Sequence, residues 1–356
     1  MSEAENVLVV REIDEIQGII AKSNSILVSA GRTKRCLSEV PPSFPSAQRP
    51  CSHVSMKEYA GFVQYEASEF TFTAKAGTTL IETVSELEAC GQYLPFDPML
   101  LDTGATLGGT ICAGLSGPGR FRFGGLRDFI LGATIVLGNG DVVRVGGKVV
   151  KNAAGFDVPK LMVGSLGQFG VLVDLTMKVF PKPAALMTAR WPTSDINQAA
   201  TIIAMLAGSS LELDAIDLHD DLKTVWIRIA GPVEANSKTL LAVQEMAPEF
   251  ELVSPDDAND YWLSLRELQF AEQDSAVLKL PLTLAHLPLL QQMTQELNAK
   301  ARVSAAGNVA WIAFSSAKHI AKLDELLREY SLSGLLIRRG CFPTSSGIRF
   351  GIRNTN

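Results

Sequence analysis

The sequence predicts an α+β protein in two parts: a two-lobed, glycine-rich domain followed by an α+β cap domain built on an antiparallel sheet. Three observations predict it. The chain has 356 residues, more than one ordinary domain holds. Seventeen of its twenty-nine glycines fall between Gly104 and Gly170. Such density suits backbone that must turn sharply or lie close to something else, and it excludes a helix bundle. After Pro183 glycine thins out and helical segments alternate with short strands, the pattern of an α+β domain. The expected boundaries are 1–183 (lobes about 1–68 and 69–183) for the first domain and 184–333 for the cap. A C-terminal segment, 334–356, is expected to return to the first domain.

The first lobe opens with a helix over Glu12–Ala21, with Ile13, Ile16, Ile19 and Ile20 on one face. A short apolar strand, Ser25–Ser29, follows, and Pro41, Pro42, Pro45 and Pro50 mark a loop-rich connection. The second lobe begins near Phe70 with an alternating strand. Thr79-Leu-Ile-Glu82 is a capping-box pattern, and Leu80, Val84 and Leu87 continue it as one apolar stripe. Ala133–Leu137 and Val142–Val145 flank Asn139-Gly140, a strong hairpin signal. A strand over Val171–Phe180 closes the domain. In the cap, Ser194–Leu206, Glu234–Met246, Thr283–Leu297 and Ala317–Tyr330 read as helices. Thr224–Ile229, Val277–Leu280 and Leu335–Arg338 read as strands.

Composition excludes several classes of function. Apolar residues make up 47% and charged residues 20%, which suits a packed core, and no apolar run is long enough for a membrane span. Net charge is −6 with no Lys/Arg block, so a nucleic-acid groove is not expected. The N-terminus does not read as a secretory signal. The five cysteines, Cys36, Cys51, Cys90, Cys112 and Cys341, form no CxxC pair, which argues against zinc or a chain-local iron–sulfur cluster. An odd, scattered set favours the reducing cytoplasm.

Three segments carry chemistry. Ser29-Ala30-Gly31-Arg32-Thr33-Lys34 ends an apolar strand; a turn there aims backbone N–H groups at one point, and two cations and a hydroxyl suit a pyrophosphate. Alone, the hexapeptide reads more readily as an ordinary surface turn with two solvated cations. It is neither a Walker A loop nor a Rossmann fingerprint. The second segment, Thr103 to Gly114, is almost without side chains, and a large flat ligand can lie against it. Gly108 and Gly109 are expected to offer N–H groups, Thr106 and Thr110 hydroxyls. The third, Lys151–Asp157 and then Leu161–Val171, passes three glycines (Gly164, Gly167 and Gly170) into a buried strand; alone it reads equally as a path whose backbone at Val171 meets an adenine edge or as a strand entry with turns.

Together, Thr106-Leu-Gly-Gly109, Leu126-Arg-Asp-Phe-Ile-Leu-Gly132, Lys151-Asn-Ala-Ala-Gly-Phe-Asp157 and Leu161-Met-Val-Gly-Ser-Leu-Gly-Gln-Phe-Gly-Val171 resemble the PCMH-type FAD-binding domain of the vanillyl-alcohol oxidase/p-cresol methylhydroxylase superfamily. Within it, the chain looks most like the smaller FAD-binding subunit of bacterial glycolate oxidase. The resemblance runs from about residue 25 to 183. It implies noncovalent FAD, with Ala30, Gly31, Arg32, Thr33 and Lys34 at the pyrophosphate. It sets Pro95, Thr106, Leu107, Gly108, Gly109, Cys112, Ala113 and Gly114 along the diphosphate, ribityl chain and ring. Gly155, Asp157, Gly164, Gly170 and Val171 fall toward the adenosine. Arg127-Asp128 is expected to support the fold as a buried ion pair, with a ligand contact as the alternative.

Superfamily members that oxidise 2-hydroxy acids carry a late histidine-rich stretch. Here only His53, His219, His286 and His319 occur, and Ser304–Trp311 resembles that stretch without its histidines. The resemblance thus implies a flavin relay or structural flavin subunit of a multi-subunit enzyme oxidising glycolate to glyoxylate. Its partners would be a larger flavin subunit and an iron–sulfur subunit, with the membrane reached only peripherally through them. A noncatalytic scaffold and a self-sufficient FAD-dependent D-lactate-type dehydrogenase stay open. Trp262 and Phe270 are expected to be exposed and to serve an interface.

Overall fold

A computed structural model describes residues 7–38, 51–147, 157–316, 318–340 and 349–351. The chain divides into two compact units, Met1–Ser116 with Gly124–Lys182 and Gly117–Phe123 with Pro183–Asn356.

In the first unit, β1 (Val7–Val9), α1 (Ile13–Lys22), β2 (Ser25–Ser29), α2 (Arg35–Ser38) and β3 (Cys51–Ser55) form a small parallel lobe with strand order β1-β3-β2. Parallel strands need a crossover, and α1 supplies one. Its start is fixed by a capping box between Glu12 and Glu15. Its apolar stripe buries Ile16 and Ile20 against Val54, Met56, Val136, Val171 and Val173, so both lobes of this unit share one core.

The second lobe contains β4 (Phe62–Glu66), β5 (Thr71–Lys75), α3 (Leu80–Ala89), β6 (Gln92–Tyr93) and α4 (Leu107–Ala113). The short helix α5 (Arg120–Phe123) belongs to the second unit. The lobe continues with β7 (Ile130–Val136), β8 (Val142–Gly146), α6 (Val158–Met162), β9 (Val171–Lys178) and β10 (Phe180–Pro181). Strands β4-β5-β9-β7-β8 make an antiparallel sheet. The β7–β8 hairpin turns where Asn139-Gly140 predicts, with Gly140 at φ 89 and the Asn139 side chain accepting from Asp141 N–H at 3.1 Å. Thr79 caps α3 as expected.

The second unit holds β11 (Ala185–Pro192), α7 (Ile196–Ala207), β12 (Ala215–Leu218), β13 (Thr224–Gly231), α8 (Val233–Met246), β14 (Glu251–Leu252) and α9 (Pro255–Arg266). It continues with β15 (Ala276–Pro281), α10 (Leu287–Glu296), β16 (Lys300–Ser304), β17 (Val309–Phe314), α11 (His319–Glu329), β18 (Ser333–Arg338) and β19 (Arg349–Gly351). Nine strands form one sheet in the order β14-β11-β13-β12-β16-β17-β15-β18-β19, every ladder antiparallel. The α+β class with antiparallel sheets is as the sequence predicts.

Several expectations are corrected. Strand β18 ladders onto β15 and β19 onto β18, with Leu336 and Ile337 buried, so the described part of 334–356 extends the sheet of the second unit. Trp262 and Phe270 are buried at 5% and 7% exposure, because α9 and the turn after it lie on the sheet. There Trp262 Nε1 donates to Thr188 Oγ1 at 3.0 Å and the Arg302 guanidinium stands over the Phe270 ring. Arg127 and Asp128 are both exposed, and Asp128 instead accepts from Gly125 N–H at 2.9 Å. Among the described residues no helix is long and apolar enough to cross a membrane.

Candidate functional site

An open cleft in the first unit spans about 790 Å³ of empty space, the solvent at its mouth included. Three walls form it. The first is the chain leaving β2, from Val28 through Lys34, with Leu37 of α2. The second is Thr106, Gly108, Gly109, Cys112 and Ala113, along α4. The third is Leu166, Gly167 and Gly170, with Val171 and Leu172 of β9; Met56 and Ala76 fill the floor. Ala30, Gly31, Arg32, Thr33, Lys34, Thr106, Gly108, Gly109, Cys112, Ala113, Gly170 and Val171, drawn from three distant stretches of sequence, thus line one cavity.

The β2–α2 loop reaches the cleft because its backbone lies tight against the second lobe. A Cβ at Gly31 would collide with the carbonyl of Gly104. Arg32 stands in the left-handed region at φ 53, a conformation that costs a non-glycine residue about 1 kcal/mol. Its guanidinium turns toward His53, 3.0 Å from Nδ1, and His53 Nε2 lies 2.9 Å from Ser29 Oγ. Lys34 behaves differently. It is 8% exposed, and its ammonium donates to Thr33 Oγ1 at 2.9 Å. Burial draws this amine down to about 8, with the Cys112 and Cys36 thiols the charges that act against the shift.

The second segment is a helix, not an extended small-residue path. Thr106 caps α4 by accepting from Gly109 N–H at 3.3 Å, and Gly114 ends it in the left-handed conformation. The leading amides are used internally: Leu107 N–H donates to Thr78 O at 2.9 Å and Gly108 N–H to Ala76 O at 2.8 Å. The sequence expects the Gly108 and Gly109 amides at a diphosphate; in this structure the first is bonded to Ala76 O and the second lies 3.3 Å from Thr106 Oγ1. What they contribute is the absence of side chains. A Cβ at Gly108 would lie 2.7 Å from that of Ala76, so glycine lets α4 sit on the end of β5. At Gly109 it would meet only Thr106 Oγ1, at 3.1 Å. Burial pushes the Cys112 thiol up, against hydrogen bonds from Ser165 and Gly167 N–H.

Other expected residues stand off the wall. Pro95 and Leu107 are buried outside it. Gly114 packs behind α4 against Gly164, 3.2 Å from its Cα to the Cβ position. Asp157 caps α6, and its bond to Lys160 outweighs the opposing effect of slight burial and holds its carboxyl below the usual range. Gly155 lies outside the described residues. Val171 is paired to Val136 in the β7–β9 ladder. Sequence reasoning missed Val28, Leu37, Met56, Ala76, Leu166, Gly167 and Leu172 as wall residues. Continuing the Ser25–Ser29 strand pattern to its own last residues points to Val28; nothing local marks Met56 or Ala76.

The wall fits FAD. It is mostly apolar and nearly free of large side chains on the α4 side, which suits a flat ring system. Among the described residues its one deeply buried cation has a hydroxyl as its hydrogen-bond partner, and no carboxylate lines the cleft. A buried ammonium without an anion is costly, and a diphosphate supplies one.

Comparison with known proteins agrees. Residues 5–146 match the FAD binding domain family. The chain is 38% identical over 214 residues to glycolate oxidase subunit GlcE of Escherichia coli, covering 59% of this chain and 57% of that one. It is 28% identical over 198 residues to glycolate oxidase subunit GlcD of Bacillus subtilis, covering 54% and 41%. To the mitochondrial D-lactate dehydrogenase (cytochrome) of Arabidopsis thaliana it is 30% identical over 176 residues, 49% and 29%. The chain thus spans little more than half, or less, of the length of these relatives. A solved structure of alkyldihydroxyacetonephosphate synthase superposes over 92% of this chain and 72% of its own, with TM-score 0.71 at 15% identity, a likeness of fold.

Proposed function

We propose, from the premise that this chain carries an FAD binding domain and holds FAD, that it is the smaller flavin subunit of a multi-subunit glycolate oxidase. In this reading it acts as a relay or structural flavin subunit beside a larger catalytic flavin subunit and an iron–sulfur subunit. Bound flavin supplies the capacity to accept a hydride and to pass electrons on singly. This chain's residues hold and shield it: the β2–α2 loop and Lys34 at the charged end, the bare face of α4 along its length, and Val171 and Leu172 at the far wall.

The observation that carries the reading is the chemistry of the cleft wall. Oxidising a 2-hydroxy acid needs a base within hydrogen-bond reach of the hydroxyl. Among the described residues no imidazole and no carboxylate lines the cleft. His53 is bound up with Ser29 and Arg32, His286 sits with Thr283 at the start of a helical turn, His219 lies among carboxylates in the second unit, and His319 opens α11. The Ser304–Trp311 segment forms the β16–β17 hairpin without a histidine. The likeness to a glycolate oxidase subunit supports the choice of complex. The membrane is reached only through partner subunits.

The test is anaerobic addition of glycolate to the flavin-loaded chain purified alone, followed by the sister subunits. The proposal expects the flavin to stay oxidised until those subunits are added. Bleaching of the isolated chain by glycolate or D-lactate would make it a self-sufficient dehydrogenase. Full turnover by a complex whose small subunit lacks flavin would reduce it to a scaffold.

A further inference from the structure

The sheet of the second unit has two unlike faces. Its registers set Leu218, Val225, Ile227, Val303 and Ile312 on one side, and Asp217, Trp226, Arg228, Arg302 and Ser304 on the other. Helix α9 lies over the polar side. The Tyr261 ring stacks on Trp226 with centroids 3.7 Å apart, and Trp262 Nε1 donates to Thr188 Oγ1. Arg302 ties the helix down. Its Nη1 donates to Tyr261 O at 3.3 Å and to Ser264 Oγ at 2.7 Å, and its guanidinium stands over the Tyr261 ring.

Beneath the helix, two ionisable side chains of opposite sign are buried on neighbouring strands and do not pair. Arg302 is 5% exposed and Asp217 1%. Asp217 Oδ2 accepts from Ser304 Oγ at 2.6 Å. Its Oδ1 and Arg302 Nε have no partner among the described residues, and neither side chain enters an ion pair there. Removing two such groups from water without pairing them is costly. The register of Leu218 with Val303 makes Asp217 and Arg302 diagonal neighbours on one face, a separation that a long side chain spans. The other charges near them are engaged: Arg228 with Asp214, and Asp220 and Asp221 with His219.

We propose that Arg302 is a two-position latch on α9. In this structure it holds the helix to the sheet; by turning to Asp217 it frees the helix, which lifts as a lid while the sheet stays folded. The lift gives up the Tyr261–Trp226 stack and the bond from Trp262 to Thr188. Against that, an ion pair forms, and water reaches Tyr261 Oη and Trp226 Nε1, both buried without a partner among the described residues. No strand-to-strand bond breaks in this step, because α9 carries none.

The experiment is hydrogen exchange of the full chain, read by mass spectrometry at pH 8, above the value of about 7 to which burial raises the Asp217 carboxyl. Peptides of α9 are compared with those of α7, which buries Ile196, Ala199, Ile203 and Leu206. The expected result is opening of α9 without opening of α7. A hydrogen bond to a charged group shifts an equilibrium about tenfold or more, so Asp217→Asn, which removes the second seat of the latch, should slow α9 exchange by about that factor. An Asp217 that merely supports the sheet through Ser304 predicts the reverse, faster exchange in the variant. Ser264→Ala, which weakens the first seat, should speed α9 exchange about tenfold and leave α7 unchanged. Wild-type α9 that exchanges no faster than α7, or α9 exchange that is unchanged or faster in Asp217→Asn, overturns the proposal. If Asp217→Asn does not fold, unchanged α9 exchange in Ser264→Ala overturns it.

Discussion

Gly31 shows how much one missing side chain can decide. Its Cα faces the Gly104 carbonyl so closely that no Cβ fits, and the obstacle is backbone, which cannot swing aside. Gly31→Ala must push the β2–α2 loop off the second lobe. Overpacking of this kind costs about 1–3 kcal/mol, so the thermal midpoint should fall and FAD affinity with it. Gly109→Ala, where only a hydroxyl stands in the way, should leave stability nearly unchanged. In the second unit, His219 offers a pH-dependent test. Burial alone would lower its imidazole, but hydrogen bonds to Asp220 and Asp221 outweigh burial and hold it up at about 9. Its Nδ1 is 2.7 Å from Asp220. A folded-state value above the unfolded value of about 6.5 gives stability that is complete below pH 6.5 and lost as pH rises through about 9. Denaturant midpoints should decline across that window, and His219→Gln should flatten the decline.

Elements whose signal is local were legible in the sequence, and those defined by partners were not. The α1 stripe, the Thr79 capping box and the Asn139-Gly140 hairpin each carry their cause within a few residues. Strand β17 buries every residue on both faces, so it shows no alternation to read. Helix α9 falls in a stretch assigned no element from the sequence, yet Ser254 caps it and Tyr261, Trp262 and Leu265 bury its far side. The same holds at the site. The glycines of α4 announce a bare surface, but only tertiary structure shows that its amides are already bonded to β5 and the turn after it. Beneath α9, the sheet carries a buried ion pair between Arg228 and Asp214, at 8% and 4% side-chain exposure, with the guanidinium over the Trp262 ring. Asp214→Ala strands that cation and should cost about 3–5 kcal/mol in urea unfolding, far more than the neutralisation of an exposed pair such as Lys322–Glu325.

On the scale of the whole molecule, two compact units divide the work differently from the expected boundaries. The residues of the cleft wall all belong to the first unit. The second unit is one nine-stranded sheet that also recruits Gly117–Phe123, where Arg122 donates to Ala230 O at 3.2 Å and pairs with Glu212. The central claim is that the first unit's cleft is where FAD binds. The most direct measurement is the visible absorbance spectrum of the chain purified after incubation with FAD, compared with Gly109→Trp, whose indole would fill the cleft from α4. The account predicts a two-band flavin spectrum with one FAD per chain in the wild type. In the variant that spectrum should be lost while far-ultraviolet circular dichroism is retained. A folded wild type without flavin, or a variant that keeps its full complement of FAD, would contradict it.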